Sequence, residues 1–340
     1  PKTTAAPIKI INKLVNDENT KKDNTLNVKL KDVNIDASSG NDAALSVEGA
    51  GNTKITLKGD NYLTSGGSHA GLEHNEKSVD DKGNYVDNGK LTITSEKNSD
   101  GSNTGKLTAK GGGGSAGIGS STYFSRGAGT IEITGGDIKA TGGESAAGIG
   151  SGENAYGDTH IIISGSAKIE AESNKNGGGA GIGSGDYNTG TTTITINDGT
   201  IVKAQGGSGS AGIGSGDGSN NTTVTIKSGT IQNATGGSTG GSTGDGIGGG
   251  NVSNNTTVTI EGGTIETAQG GQSYGDYDAG DGIHSDSGLT ISGKATIVSA
   301  IGGKDDSDSS SNAGHGIYSG GDLTIKDGTT IGSWNTDGTP

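Results

Sequence analysis

The chain has no cysteine and no methionine, and its 340 residues include only one phenylalanine and one tryptophan. The lack of cysteine excludes disulfides and thiolate metal sites, and it removes redox state as a guide to the cellular compartment. No apolar run approaches the roughly 20 residues that span a bilayer, so we expect no membrane insertion. Hydrophobic residues make up 26% of the chain and aromatic residues 3%, too few for an ordinary globular core of this length.

Basic residues are also scarce. The chain carries 24 basic and 38 acidic residues, a net charge of −14, and Arg126 is its single arginine. Lysines and acids balance over residues 1–110, so the net negative charge lies entirely in residues 111–340. A nucleic acid partner needs a basic stripe, so we expect none. An acidic surface suits a neutral partner or a bound cation.

Glycine is abundant, with 71 residues, and it occurs in a repeat. The motif Ala-Gly-Ile-Gly begins at residues 116, 147, 180 and 211, and it drifts to Asp-Gly-Ile at 245 and 281 and to His-Gly-Ile at 315. The spacing between successive motif isoleucines is 31 to 36 residues. A degenerate copy, Ala70-Gly71-Leu72, lies before an insertion near residues 75–89. A chain with so few apolar residues can still bury a core if one supersecondary unit repeats and stacks.

Each repeat contains two further short patterns. Segments such as Thr193-Ile194-Thr195-Ile196 alternate with period two, which is typical of a half-buried strand whose threonines face outward. A Gly-Thr-Ile segment that closes on a glycine pair supplies the third strand. We therefore predict an all-β fold, a single-stranded parallel β-helix (β-solenoid) with three short strands per coil and about 9–10 coils. Connections between parallel strands of one sheet are almost always right-handed, so we expect a right-handed β-helix. The motif isoleucines should form one buried column: Ile118, Ile149, Ile182, Ile213, Ile247, Ile283 and Ile317.

The predicted organisation is one continuous solenoid. Residues 1–40 form an N-terminal cap and first coil, residues 41–113 form irregular coils with the insertion, and residues 114–340 form regular glycine-rich coils. An open solenoid end needs a cap against edge pairing, and the segment from Ile8 to Val15 is the candidate.

Several segments resemble a known family. They are Lys54-Ile55-Thr56-Leu57-Lys58-Gly59, Lys90-Leu91-Thr92-Ile93, the Ala-Gly-Ile-Gly-Ser-Gly repeats and Ile-Thr-Gly-Gly-Asp-Ile at 133–138. Over roughly residues 24–334 the chain resembles the right-handed β-helix carbohydrate-binding domains of bacterial surface proteins, which share the pectate-lyase-like solenoid architecture. The resemblance implies a non-catalytic, polysaccharide-binding adhesin module, with bound calcium in some members. We expect a monomeric module of a larger secreted or cell-surface protein that binds a polysaccharide, such as a host or plant glycan.

The segment after each Gly-Ile-Gly varies most, and variable loops on a rigid scaffold are where function concentrates. Three successive repeats place aromatic residues there, with charged residues nearby. Aromatic faces can pack on sugar rings while polar groups bond to hydroxyls. The candidate glycan-binding residues are Tyr123, Phe124, Arg126, Tyr156, Asp158, Asp186 and Tyr187. The alternative is that these rings only cover a turn.

A second cluster, rich in aspartate, lies near the C-terminus. Hard oxygen ligands in a glycine-rich turn suit Ca²⁺, although neither the EF-hand spacing nor the glycine-rich nonapeptide repeat occurs. Asp281 and His315 share one motif position, and His284 and Tyr318 share another, so each pair should stack one coil apart. The candidate calcium ligands are Asp276, Asp278, Asp281, Asp305, Asp306 and Asp308. A solvated acidic turn is the alternative.

Other function classes stay open at this point. A ligand-free structural stalk fits the repeat as well as an adhesin does. A polysaccharide lyase commonly needs an Arg or Lys base beside a calcium-bound substrate, and the chain has a single arginine. A hydrolase would need a carboxylate pair across a groove. Outward threonine pairs on three coils, such as Thr193 and Thr195, also fit an ice-binding solenoid, but Glu132 and Ile162 break the array. We expect a binding protein and not an enzyme.

Overall fold

The computed structural model describes residues 2–14, 24–122, 126–239, 241–274, 278–305, 312–326 and 328–335. These segments form an all-β stack of about nine turns, in which strands of successive coils pair in parallel. None of them forms a helix long and apolar enough to cross a membrane. The predicted parallel β-solenoid with three strands per coil is confirmed. We name each coil by the residue that it places in the column of motif isoleucines.

Sheet I contains the Gly-Ile-Gly strands and has ten members. They are Ile8–Ile11, Leu45–Glu48, Leu72–Glu73, Ile118–Gly119, Ile149–Gly150, Ile182–Gly183, Ile213–Gly214, Ile247–Gly248, Ile283–Ser285 and Ile317–Ser319.

Sheet II contains the alternating segments. Its strands are Leu26–Lys31, Thr53–Thr64, Leu91–Ser95, Gly129–Ile133, Thr159–Ile163, Thr192–Ile196, Thr222–Ile226, Thr257–Ile260, Leu289–Ile291 and Leu323–Ile325.

Sheet III contains the Gly-Thr-Ile segments, and it shares the long strand Thr53–Thr64 with sheet II. Its other strands are Asn34–Asp36, Gly105–Lys110, Asp137–Thr141, Lys168–Glu172, Thr200–Gln205, Thr230–Ile231, Ala234–Thr235, Thr264–Ile265, Ala268–Gln269, Thr296–Ile301 and Thr330–Asn335.

The core is a set of apolar columns that run along the solenoid. In sheet I, Leu72 pairs with Ile118, and the column continues coil by coil to Ile317. Its members from Leu72 to Ile283 are fully buried, whereas Ile317 is half-buried. The predicted column is therefore confirmed. Burying such a side chain contributes roughly 1.5–3 kcal/mol, which explains how a chain with few apolar residues folds.

In the coils from Ile118 to Ile247, a glycine follows the motif isoleucine and turns the chain sharply. Gly150 has φ +139°, and a Cβ there would overlap the carbonyl oxygen of Gly183 in the next coil. The turn is closed by a hydrogen bond from the Ala147 N–H to the Ser151 carbonyl, and the Ile182 coil repeats it with Ala180 and Ser184. Only glycine fits this corner.

The motif serine links each coil to the next. The N–H of Gly185 donates to the hydroxyl of Ser151, and the N–H of Gly216 donates to the hydroxyl of Ser184, both at 2.9 Å. The same bond occurs at Ser120 and Ser215, and all four serines are fully buried. The serine in Ala-Gly-Ile-Gly-Ser-Gly is thus an internal hydrogen-bond acceptor of the scaffold.

Two antiparallel strand pairs lie outside the three sheets among the described residues. Lys77–Val79 pairs with Tyr85–Asp87 in the segment that the sequence marks as an insertion, and Ser238–Thr239 pairs with Ser242–Thr243. At the N-terminal end, the strand Ile8–Ile11 pairs with Leu45–Glu48 and extends sheet I by one member.

Candidate functional site

A row of exposed side chains follows the corner between sheets I and II. We call it the tyrosine edge. Four of its side chains are more than half exposed: Tyr85 at 57%, Tyr156 at 51%, Tyr187 at 58% and Val252 at 70%. Its fifth member, Arg126, is half-buried. These residues come from the Leu72, Ile118, Ile149, Ile182 and Ile247 coils, so the edge runs along most of the solenoid.

Arg126 lies between two rings of this edge. Its guanidinium carbon is 4.5 Å from the ring centroid of Tyr85 and 4.6 Å from that of Tyr156. Cations over aromatic faces are held by the ring quadrupole. Arg126 therefore joins the insertion hairpin to the Ile149 coil and fixes both rings on a common side. The predicted residues Tyr123 and Phe124 lie outside the described residues.

Tyr187 lies over the neighbouring coil. Its backbone has φ +50°, and a Cβ at Gly218 would come within 2.8 Å of ring carbons of Tyr187. Glycine at 218 thus lets the ring rest on the Ile213 coil, which itself places no large side chain at this point. Asp158, also predicted, is exposed, and its carboxylate accepts a hydrogen bond from the N–H of Thr191.

Three carboxylates flank the tyrosine edge at equivalent positions of three coils: Glu153, Asp186 and Asp217. We call them the acidic row. Burial raises the pKa of Asp186 to about 7, and the charges of Asp217 and Glu153 add to this. Burial also raises the pKa of Asp217. Within the described part of the chain, the buried Oδ1 of Asp186 has no hydrogen-bond partner. The acidic row thus has more negative charge than its surroundings neutralise.

The C-terminal coils open into a cavity of about 660 Å³, which we call the C-terminal cavity. There the motif glycine is replaced by His284 and then by Tyr318, which pair in register. Their rings stack with centroids 4.8 Å apart, as the shared motif position predicts. The walls carry carboxylates, amides and hydroxyls: Thr243, Asp245, Asn251, Ser253, Asp278, Asp281, Asp286, Asn312 and His315.

His284 is the centre of a hydrogen-bonded group in this cavity. Its Nδ1 lies 2.7 Å from Oδ2 of Asp281 and 3.7 Å from Oδ2 of Asp245, and its Nε2 lies 3.1 Å from Oδ1 of Asp286. Asp245 and Asp281 are each 7% exposed. Asp245 also accepts the N–H groups of Gly249 and Asp281, so its carboxylate is held by the backbone.

The titratable groups in the cavity shift one another's pKa values. Burial alone would lower the pKa of His284, but hydrogen bonds to Asp281 and Asp286 outweigh it and raise that pKa. Burial raises the pKa of Asp245 against the opposing charge of His284, and the charge of Asp281 adds to the rise. Burial also acts to raise the pKa of Asp286, but the hydrogen bonds from His284 and from the Thr256 N–H, together with the charge of His284, outweigh it and lower that pKa. At neutral pH an imidazolium is therefore surrounded by carboxylates.

The structure brings together only some of the aspartates that the sequence predicts as calcium ligands. Asp281 and Asp278 both line the C-terminal cavity, but Asp278 accepts the N–H groups of Asn312, and Asp305 pairs with Ser273 away from the cavity. Asp276, Asp306 and Asp308 lie outside the described residues. Among the described side chains, the group able to share one ion is Asp245, Asp281 and His284. The sequence pattern indicated His284 as a neighbour of this cluster but not as its centre.

The outward threonines of sheet II are in register. One row joins Thr193, Thr223 and Thr257, and a second continues from Thr195 through Thr225, Thr259 and Thr290 to Thr324. Towards the N-terminus the rows pass to His160 and Ile162, and the predicted break at Ile162 and Glu132 is present. Such ladders stabilise a sheet without any ligand.

Comparison with protein-family models agrees with this architecture. The model described as a beta helix repeat matches residues 131–153, 194–217 and 258–287, each of which starts in a sheet II strand of a regular coil. The chain is a right-handed β-helix protein. No curated protein and no solved structure matches this β-helix. The β-helix fold occurs in enzymes and in binding proteins alike, so its function has to be argued from its surface.

Proposed function

We propose that this β-helix is a non-catalytic carbohydrate-binding module, an adhesin or anchoring module of an extracellular protein, and that a polysaccharide lies along the tyrosine edge. The observation that carries the proposal is the edge itself. Tyr85, Tyr156 and Tyr187 expose more than half of their surface on this side of the solenoid. Single exposed apolar residues are ordinary, but a row of them on one side marks an interaction surface.

The chemistry of the edge suits sugars. A tyrosine ring offers an apolar face to the C–H side of a sugar ring, and its hydroxyl remains free to bond. Asp158 and the acidic row provide acceptors for sugar hydroxyls beside the rings. Because the net charge of −14 repels anions, a neutral polysaccharide is the expected ligand.

A rigid scaffold supports binding of an extended ligand. The rings of Tyr85 and Tyr156 are held on either side of Arg126, and Tyr187 rests on the next coil. Little conformational entropy is then lost when the ligand binds. The edge is long in one direction, which matches a linear glycan better than a compact small molecule.

The test is a glycan array with the Tyr156→Ala/Tyr187→Ala variant. Removal of two stacking rings should weaken binding roughly tenfold or more, with an unchanged melting temperature. Tyr62→Ala is the matched control, because Tyr62 is 40% exposed but lies on sheet III. The affinity of the wild type for the glycan should be the same with and without EDTA. Equal affinity of the double variant and the wild type, or loss of binding in EDTA alone, would contradict the tyrosine edge as the site.

A structural stalk is the second candidate, and the unbroken register of sheet I from Leu45 to Ile317 favours it. A stalk requires only this continuous stack. Absence of binding to every plant, host and microbial glycan on the array would leave the stalk as the function.

A further inference from the structure

We propose that Asp245, Asp281 and His284 form a binding site for one transition-metal ion of the zinc type in the C-terminal cavity. The proposal rests on their geometry and does not depend on carbohydrate binding at the tyrosine edge.

The three side chains converge on one point. A ligand atom from each of them lies within 4.8 Å of the others. A tetrahedral zinc ion with ligands at about 2.0–2.2 Å places neighbouring ligand atoms roughly 3.3 Å apart. The observed separations of 2.7 and 3.7 Å from His284 Nδ1 to the carboxylates of Asp281 and Asp245 bracket that value. Replacement of the proton on Nδ1 by a metal ion therefore requires only small shifts.

The donor set selects the kind of ion. Calcium takes six to eight oxygen ligands, and an imidazole nitrogen is not among them. One nitrogen and two carboxylate oxygens suit zinc and its neighbours in the first transition series. The C-terminal cavity borders the site, so water can complete the coordination. The chemistry of the described residues thus favours zinc over the calcium that the sequence suggested.

The surroundings of His284 support a ligand role. Metal-binding histidines commonly donate their other ring N–H to a carboxylate, which fixes the tautomer. Here Nε2 lies 3.1 Å from Oδ1 of Asp286, and Oδ2 of Asp286 is itself held by the N–H of Thr256. The stacked ring of Tyr318 fixes the plane of the imidazole. Asp286 is therefore a positioning residue, and Asp245 is held in place by two backbone N–H groups.

The experiment is a calorimetric titration of the untagged, EDTA-treated and dialysed chain with Zn²⁺ and, separately, with Ca²⁺. We expect one Zn²⁺ per chain and no Ca²⁺ at this site. His284→Gln should weaken Zn²⁺ binding at least about 100-fold, and Asp286→Asn should weaken it about 10–100-fold. His160→Gln is the matched control, since His160 lies on sheet II and should leave Zn²⁺ affinity unchanged.

A second measurement covers the case in which a variant does not fold. The chain has five histidines, and in the wild-type NMR spectrum Zn²⁺ should shift the imidazole resonances of His284 and its neighbour His315 but not those of the other three. Co²⁺ should add visible absorption bands that Zn²⁺ abolishes. No Zn²⁺ binding by the wild type, Zn²⁺ affinity unchanged in folded His284→Gln, or shifts confined to other histidines would overturn the proposal.

Discussion

At the scale of single residues, Asp186 shows how burial and neighbouring charges change the pKa of a carboxyl group in the solenoid. It lies between Glu153 and Asp217 in the acidic row, its Oδ1 is buried, and burial with these charges raises its pKa to about 7. A carboxyl group whose pKa is higher in the folded state than in the unfolded state favours folding when protonated. Asp186 should therefore contribute a loss of stability to the wild type as the pH rises from about 4 to 7.

The variant Asp186→Asn tests this. The amide removes the charge at every pH, so the variant should melt about 1–3 °C above the wild type at pH 8 and show no gain at pH 4. Differential scanning calorimetry at both pH values gives the comparison. Asp198→Asn, at an exposed turn on another side, should show no such difference. A gain of equal size at both pH values would mean that charge is not the cause.

At the scale of the structural element, the coil is held to its neighbours by more than strand pairing. The buried hydroxyl of Ser184 accepts the N–H of Gly216 from the next coil. Ser184→Ala leaves that N–H buried without its acceptor, which should cost about 1–3 kcal/mol of unfolding free energy. Urea denaturation followed by circular dichroism measures it. Thr189→Ala, which removes an exposed hydroxyl of the Ile182 coil, is the control, and equal losses in the two variants would refute the role of the serine.

The sequence predicts the register of the coils, but it predicts fewer of the side-chain contacts between them. The period of the motif sets the register of Ile118 with Ile149, and it also predicts that His284 and Tyr318 stack, because both follow from counting residues. It does not predict the role of the motif serine, since that bond depends on how the Gly-Ser corner turns. Nor does it predict that Asp245 reaches His284, because this contact joins residues one coil apart through side-chain direction.

The sequence predicts part of the tyrosine edge. Tyr156 and Tyr187 follow the motif directly, so their place on the loop side could be read from the repeat. The repeat does not predict that Tyr85 and Val252 belong to the edge. Tyr85 lies in an insertion outside the repeat, and only the fold of the hairpin brings its ring to Arg126. Val252 is an isolated apolar residue in a polar turn, and nothing in its local pattern marks it.

At the scale of the whole molecule, the tyrosine edge and the C-terminal cavity are continuous. Val252 of the edge follows Asn251, which lines the cavity and whose amide lies 3.3 Å from the carboxylate of Asp217 in the acidic row. A linear ligand on the edge would thus lead towards the cavity. The proposed ligand would then follow one long side of the solenoid.

The most direct test of this account is the affinity of the wild-type chain for oligosaccharides of increasing length, prepared from a polysaccharide that binds on the array and measured by calorimetry. The account predicts that affinity rises with each added sugar until the chain spans the tyrosines of successive coils, and that Tyr156→Ala/Tyr187→Ala removes most of this gain. A mono- or disaccharide that binds as tightly as the longer chains would contradict it.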